Sequence, residues 1–279
     1  QKTAYEISLG LVGSEMCIRD RIMTKSLIGK IAVITGGAEG IGKGIALSLA
    51  KSGATLVIAD LNEEKAISTN SEITKLSSKS LAIRVDVSKK NDIEKCVNNV
   101  MSEFGQLDIL VNNAGIYTDN WEASLSINIM GVVNFCELTI PHMQSRQYGK
   151  IINIGSMSAH AARNLGGPYP TSKAAVLRYT KGLAYELRND NINVNAVCPG
   201  AVWTSFQKGL QAQSIENDKT LIENDLYKSF LQKYSDVIPM GRPQTTDDIG
   251  QTVGFLSSDS SKNITGQCIH VDGGAILRD

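Results

Sequence analysis

Tyr169 and Lys173 stand four residues apart in Tyr-Pro-Thr-Ser-Lys, the separation that puts two side chains on one face of a helix. A phenol titrates near pH ~10 and is a weak base at neutrality. An ammonium group held beside it stabilises the phenolate and brings proton transfer into the working range. Ser156, just beyond the apolar run 150–154, can donate a hydrogen bond to a substrate oxygen. Asn128, further upstream, can hold a water that relays protons to Lys173. Such a set would serve acid–base chemistry at a carbon–oxygen centre. Alone it is weak evidence, because Ser156 can cap a turn and Asn128 can be a polar residue facing solvent. Order and spacing together with a second group of residues give it weight.

That second group begins with Thr35-Gly36-Gly37-Ala38-Glu39-Gly40-Ile41-Gly42. Small residues between a strand and a helix let the backbone turn sharply and approach a pyrophosphate, whose charge meets the amino end of the helix. The glycine spacing is T-G-x-x-x-G-x-G, distinct from G-x-G-x-x-G. Asp60, followed by Leu61, closes the next apolar run. A carboxylate there can accept hydrogen bonds from both adenosine ribose hydroxyls and would repel a 2′-phosphate. Glu39 adds negative charge, and no basic residue nearby in sequence offers a phosphate partner. These features predict NAD(H) in preference to NADP(H). Asp60 could also be a plain helix cap before Asn62-Glu63-Glu64. Asp86-Val87 and Asn112-Asn113-Ala114-Gly115 end the third and fourth apolar runs. Asp86 can bind an adenine amine, Asn113 can bridge backbone groups, and Ala114 and Gly115 leave room for the cofactor.

The elements that must position these groups are legible in the hydropathy pattern. The runs 31–35, 55–59, 81–85, 108–111, 150–154, 193–197 and 267–271 are short and mostly rich in Ile and Val, and read as buried strands. Helical segments are predicted over 41–52, 62–77, 91–104, 121–146, 168–189 and 246–258. In 91–104, Ile93, Val97, Val100, Met101 and Phe104 share one face. Repeated strand–helix–strand units imply an α/β fold: one doubly wound Rossmann-type domain, a parallel seven-stranded sheet with helices on both faces. The polar stretch 205–237 interrupts the rhythm after the Pro199-Gly200 turn and reads as a substrate lid, the alternative being a surface excursion or an oligomer contact.

Composition narrows the classes. The 279 residues carry 28 basic and 28 acidic side chains, and no like-charge block points to nucleic acid or an anionic membrane. No run approaches the roughly 18 uninterrupted apolar residues of a spanning helix. Five scattered cysteines (Cys17, Cys96, Cys136, Cys198, Cys268) lack a C-x-x-C pair. The last four read as small buried hydrophobes in a reducing, cytoplasmic compartment. His142, His160 and His270 lie far apart without ligand spacing, so no metal is expected. Residues 1–22 lack the features of a secretory signal and of the fold. They are expected to be a non-native or poorly ordered leader ahead of a single domain, 23–279.

Taken together, the chain resembles the short-chain dehydrogenase/reductase superfamily over residues 28–277. The resemblance rests on TGGAEGIG (35–42), NNAG (112–115), NIMG around Asn128, Ser156, YPTSK (169–173), NAVCPG (195–200) and TGQCIHVDGG (265–274). It implies Asn128, Ser156, Tyr169 and Lys173 as the catalytic set, with the backbone and side chains around Pro199, Gly200, Val202 and Thr204 on the nicotinamide carboxamide. It also implies a homotetramer, or a homodimer, acting on a small alcohol or ketone. Acyloins, vicinal diols and sugar-derived polyols are one substrate class; 3-oxoacyl thioesters are another. A rival of a different kind is a non-enzymatic NAD-binding sensor, which would be expected to lose the Tyr or Lys kept here. The loop between Gly115 and Trp121 is shorter than is usual in the superfamily.

Overall fold

The apolar runs become the strands of a single sheet in a computed structural model that describes residues 26–76, 79–160, 167–208, 226–235 and 237–277. The strands are β1 (Ile31–Thr35), β2 (Thr55–Asp60), β3 (Ser80–Arg84), β4 (Ile109–Asn112), β5 (Gly149–Ile154), β6 (Ile192–Pro199) and β7 (Cys268–Val271). All pair in parallel, in the order β3-β2-β1-β4-β5-β6-β7. The helices are α1 (Gly40–Lys51), α2 (Glu63–Thr74), α3 (Lys90–Phe104), α4 (Trp121–Ser124), α5 (Gly131–Arg146), α6 (Pro168–Glu186), α7 (Leu226–Ser235) and α8 (Thr246–Ser257). This is the doubly wound α/β architecture expected. Chain order reverses direction between β1 and β4, the position where ligands bind in open parallel sheets.

Alternation along β1 divides the core. Ile34 joins Ile58, Leu49 and Val253 beneath α1 and α8, whereas Val33 joins Val57, Val100, Leu110 and Phe135 beneath α3 and α5. Each such fully buried side chain contributes about 1.5–3 kcal/mol of transfer free energy. α1 and α8 pack unusually close. A Cβ on Gly44 would lie 2.4 Å from that of Thr246, and one on Gly250 would lie 2.8 Å from the Gly44 carbonyl oxygen. A third cluster, Ala201, Phe230 and Ile238 with Trp203 and Tyr234, anchors α7 to the chain leaving β6.

One expectation changes in detail. The predicted helix 121–146 contains a π-helical turn, Leu125–Met130, in which the Gly131 amide bonds to the Ser126 carbonyl. A single 3.6-residue period read across the whole stretch does not resolve one wider turn of six residues. The stretch 121–146 is also long and apolar enough by composition to cross a membrane. Its buried residues, among them Val132, Phe135 and Met143, instead join the core described above. The expectation for residues 1–22 lies outside the described residues.

Candidate active site

β1 ends at Thr35, whose hydroxyl accepts the amides of Asn113 and Ala114, each at 3.0 Å. The Asn113 side chain donates to the carbonyls of Thr35 (3.0 Å) and Gly36 (2.9 Å). The glycine loop and the end of β4 are thereby locked together. A Cβ at Gly42 would lie 2.0 Å from the Gly36 carbonyl oxygen, so no other residue fits this turn. Asp60 supports the loop from the other side. Its carboxylate accepts the Ala38 amide at 3.0 Å and that of Asn62 at 2.9 Å. Asn62 itself caps α2 by accepting from Lys65. The helix cap is thus Asn62 and not Asp60, whose carboxylate instead ties the glycine loop to the start of α2.

One expectation here is corrected. A basic residue does reach this end of the cleft, since Lys65 Nζ lies 2.9 Å from Glu39 Oε2. One turn into α2, it was hidden by its distance from the glycine loop in sequence. Its bond holds the Glu39 carboxyl below its ordinary range. Asp86, two residues beyond β3, is also held low, chiefly by the Ser88 hydroxyl.

A cleft of about 1180 Å³ runs from this loop across the carboxyl ends of the strands. It is larger than a site for one drug-sized ligand. Gly36, Glu39, Gly40, Ile41, Asp60, Leu61, Asp86, Val87, Asn113, Ala114 and Gly115 line one part. Pro199, Gly200, Val202 and Thr204 line it beyond β6. Thr204 comes within 3.5 Å of the place a Cβ on Gly40 would occupy, so the two ends of the cleft close over one another. Among the predicted cofactor-binding residues only Gly42 does not reach the cleft; it shapes the turn from behind. A dinucleotide fits these residues: small loop residues, a carboxylate at the adenosine end and a long channel between.

The predicted reacting groups converge elsewhere in the same cleft. Ser156 follows β5 and caps the short helical turn Met157–Ala159 by accepting from Ser158. Tyr169 and Lys173 lie in the first turns of α6, which Pro168 opens at a position suited to proline. Burial pushes the Tyr169 hydroxyl above its usual value, while the neighbouring Ser156 hydroxyl acts in the opposite sense. Burial likewise lowers Lys173 to about 8. Its Nζ donates to the Ile154 carbonyl at 2.8 Å and sits 5.9 Å from the centre of the Tyr169 ring. Desolvation therefore dominates the phenol, and the opposing influence comes from the Ser156 hydroxyl in place of the expected ammonium.

Asn128, expected to hold a water, makes direct bonds to the protein. Within the π turn, fully buried, it accepts the Ile116 amide at 2.8 Å and donates to the Ile116 carbonyl at 2.9 Å. It also donates to Ser124 and Ser172. One side chain thus binds the shortened loop to α4 and α6. Its next residue, Tyr117, lies against Tyr169 with ring centres 5.3 Å apart, and Phe206 approaches Tyr169 at 6.0 Å. Sequence reasoning missed both. The available signal was an aromatic residue in each loop leaving β4 and β6, in a chain with only 5% aromatics.

Residues 30–215 match the family described as short chain dehydrogenase. The chain belongs to that family. A diacetyl reductase [(S)-acetoin forming] of Staphylococcus epidermidis is 36% identical to it, over 89% of this chain and 99% of the relative. A 3-oxoacyl-[acyl-carrier-protein] reductase of Thermotoga maritima is 33% identical, over 90% and 99%. The crystal structure of levodione reductase superposes with a TM-score of 0.82 at 25% identity, covering 89% of this chain and 98% of that one. The chain is thus an oxidoreductase acting between a CH–OH group and a ketone, as members of this family do with nicotinamide cofactors.

Proposed function

We propose that this enzyme is an NAD(H)-dependent dehydrogenase/reductase of acyloins, vicinal diols or sugar-derived polyols, with Tyr169 as its acid–base group. The observation that carries the reading is the meeting of Ser156, Tyr169 and Lys173 in the cleft that the glycine loop and Asp60 also line. When bound, the nicotinamide supplies or takes up the hydride. Ser156 and Tyr169 hold the substrate oxygen, and Tyr169 gives its proton to that oxygen in reduction and removes it in oxidation. Lys173, steadied by the Ile154 carbonyl, sits below the phenol as the neighbouring cation. Asn128 is a positioning residue that fixes the 116 backbone and α6. Tyr117, Phe206 and Met157 make an apolar wall suited to a small carbon skeleton.

Segment 205–237 acts as the lid over the substrate end, a reading supported by Ser205, Phe206, Gln207, Lys233 and Tyr234 on the cleft wall; residues 209–225 lie outside the described residues. Exposed Trp121 and Leu125, one turn apart on α4 and the turn after it, suit burial between subunits of a homotetramer. The four described cysteines are thiols, which suits a cytoplasmic setting.

A second reading, an NADPH-dependent 3-oxoacyl thioester reductase, is favoured by Lys65 at the adenosine end. Matched NADH and NADPH oxidation assays over diketones, sugar ketones and acetoacetyl thioesters separate the two. NADH-dependent turnover of a diketone or sugar ketone, lost in Tyr169→Phe, is expected. Turnover only with NADPH would overturn the reading of Asp60, and turnover only of the thioester would overturn the substrate class.

A further inference from the structure

Cys198 and His270 are direct partners in the β6–β7 register, so their side chains stand on the same face of the sheet. Ala196 and Cys198 on that face are covered by Leu177 of α6 and by Ala159, the last residue of the turn that Ser156 caps. The next residue, His160, brings its ring to within 4.9 Å of the His270 ring, centre to centre. One donor atom from each of His160, Cys198 and His270 falls within 4.8 Å of the other two. Residues 110 positions apart in sequence thus meet, which is why inspection of ligand spacing gave no hint of it.

We propose that His160, Cys198 and His270 form a binding site for a borderline-soft divalent cation of the zinc type, which ties the Ser156 turn to the end of the sheet. Two imidazoles and a thiolate are a donor set that zinc accepts, with a fourth place left for a small ligand. Bond lengths of about 2.0–2.3 Å put donors around a tetrahedral ion roughly 3.2–3.7 Å apart. The three groups therefore draw inward by about an ångström, and the turn carrying His160 is the element that moves. A carboxylate stands behind one ligand, since Asp272 Oδ2 lies 3.3 Å from His270 Nδ1. Asp272 is itself fixed by the amides of Gly274 and Ile276, the arrangement by which a carboxylate orients a metal-binding imidazole. Binding replaces the thiol proton of Cys198 with a sulfur–metal bond and releases that proton to solvent.

The site is separate from the cofactor cleft yet close behind it. A Cβ on Gly155 would lie 2.9 Å from Cys198 Sγ, so an ion here stiffens the residue that precedes Ser156. The test is titration of the chelator-treated full-length protein with Co²⁺ in the absence of substrate and cofactor. One equivalent is expected to bind, with the intense near-ultraviolet absorption of a thiolate–cobalt bond, and Zn²⁺ should displace it. Cys198→Ser should abolish that absorption. His270→Gln and His160→Gln should each weaken binding about 10-fold or more. Cys96→Ser, which removes a buried thiol elsewhere, should leave the absorption unchanged. Absence of the thiolate band in the unaltered protein would overturn the proposal, leaving a buried polar trio. Persistence of the band in Cys198→Ser, or indifference to both histidine substitutions, would also overturn it.

Discussion

Burial drives Tyr169 and Lys173 toward their uncharged forms from opposite directions, and this sets what single substitutions and pH should do. Tyr169→Phe removes only the hydroxyl proposed to carry the proton. Ketone reduction should fall by roughly 10²–10⁴-fold, the usual weight of a general acid, while NADH affinity, read by fluorescence titration, stays nearly unchanged. Lys173→Ala should harm both. The pH profile follows from the same groups. In the proposed mechanism reduction needs the proton on Tyr169 and the charge on Lys173, with Ser156, Tyr117 and Cys198 as the other titratable or polar groups around them. Tyr169 is pushed up and keeps its proton; Lys173 loses its charge as the pH rises through about 8. kcat/KM for reduction should therefore be level below that value and fall above it. A profile level up to about pH 10, the range of an ordinary lysine, would mean that burial does not lower Lys173 or that reduction does not need its charge. Stability moves the other way. Between about 8 and the unfolded value the unfolded chain binds the extra proton, so the contribution of Lys173 to stability rises with pH across that window.

Elements deliver these residues to one place, and here the sequence was most and least informative. The strands were legible because a parallel strand buried on both faces has a nearly continuous apolar run, as in Ile31–Thr35. The motif residues were legible because turn geometry admits few alternatives. The π turn around Asn128 was not legible, nor was the contact of Lys65 with Glu39, since both depend on distances across elements that periodicity does not encode. Tyr117 and Phe206 stayed hidden for a related reason: aromatic loop residues acquire meaning only when two loops face each other. Gly42 tests the turn directly. Gly42→Ala places a methyl 2.0 Å from a backbone oxygen, and forcing β1 and α1 apart should cost about 3 kcal/mol, the upper end for overpacking. The urea midpoint should drop with the slope unchanged, and NADH binding should be lost with it. A variant as stable as the parent would mean that the turn yields freely.

At the scale of the whole molecule, all the chemistry lies along one edge of the sheet, and ligand binding should be felt by the entire domain. NADH at 100 times its dissociation constant adds about 2.7 kcal/mol to stability. That should raise the melting temperature by roughly 5–10 °C for a domain of this size. NADPH at the same concentration should give a clearly smaller rise if the Asp60 carboxylate disfavours a 2′-phosphate. Equal shifts would show that Lys65 offsets it.

Trp203 has a practical consequence. The chain has two tryptophans, and this one lies between cleft residues Val202 and Thr204 while its ring rests on Tyr227 and Phe230 of α7. Its emission is therefore a built-in optical gauge of α7, the described helix of the proposed lid. With Trp121 replaced by Phe to silence the other source, a shift in colour or intensity on adding substrate to the NADH-loaded enzyme would time that segment's movement directly. An emission spectrum that never changes would mean that α7 keeps its place and that the proposed lid does not move as substrate enters.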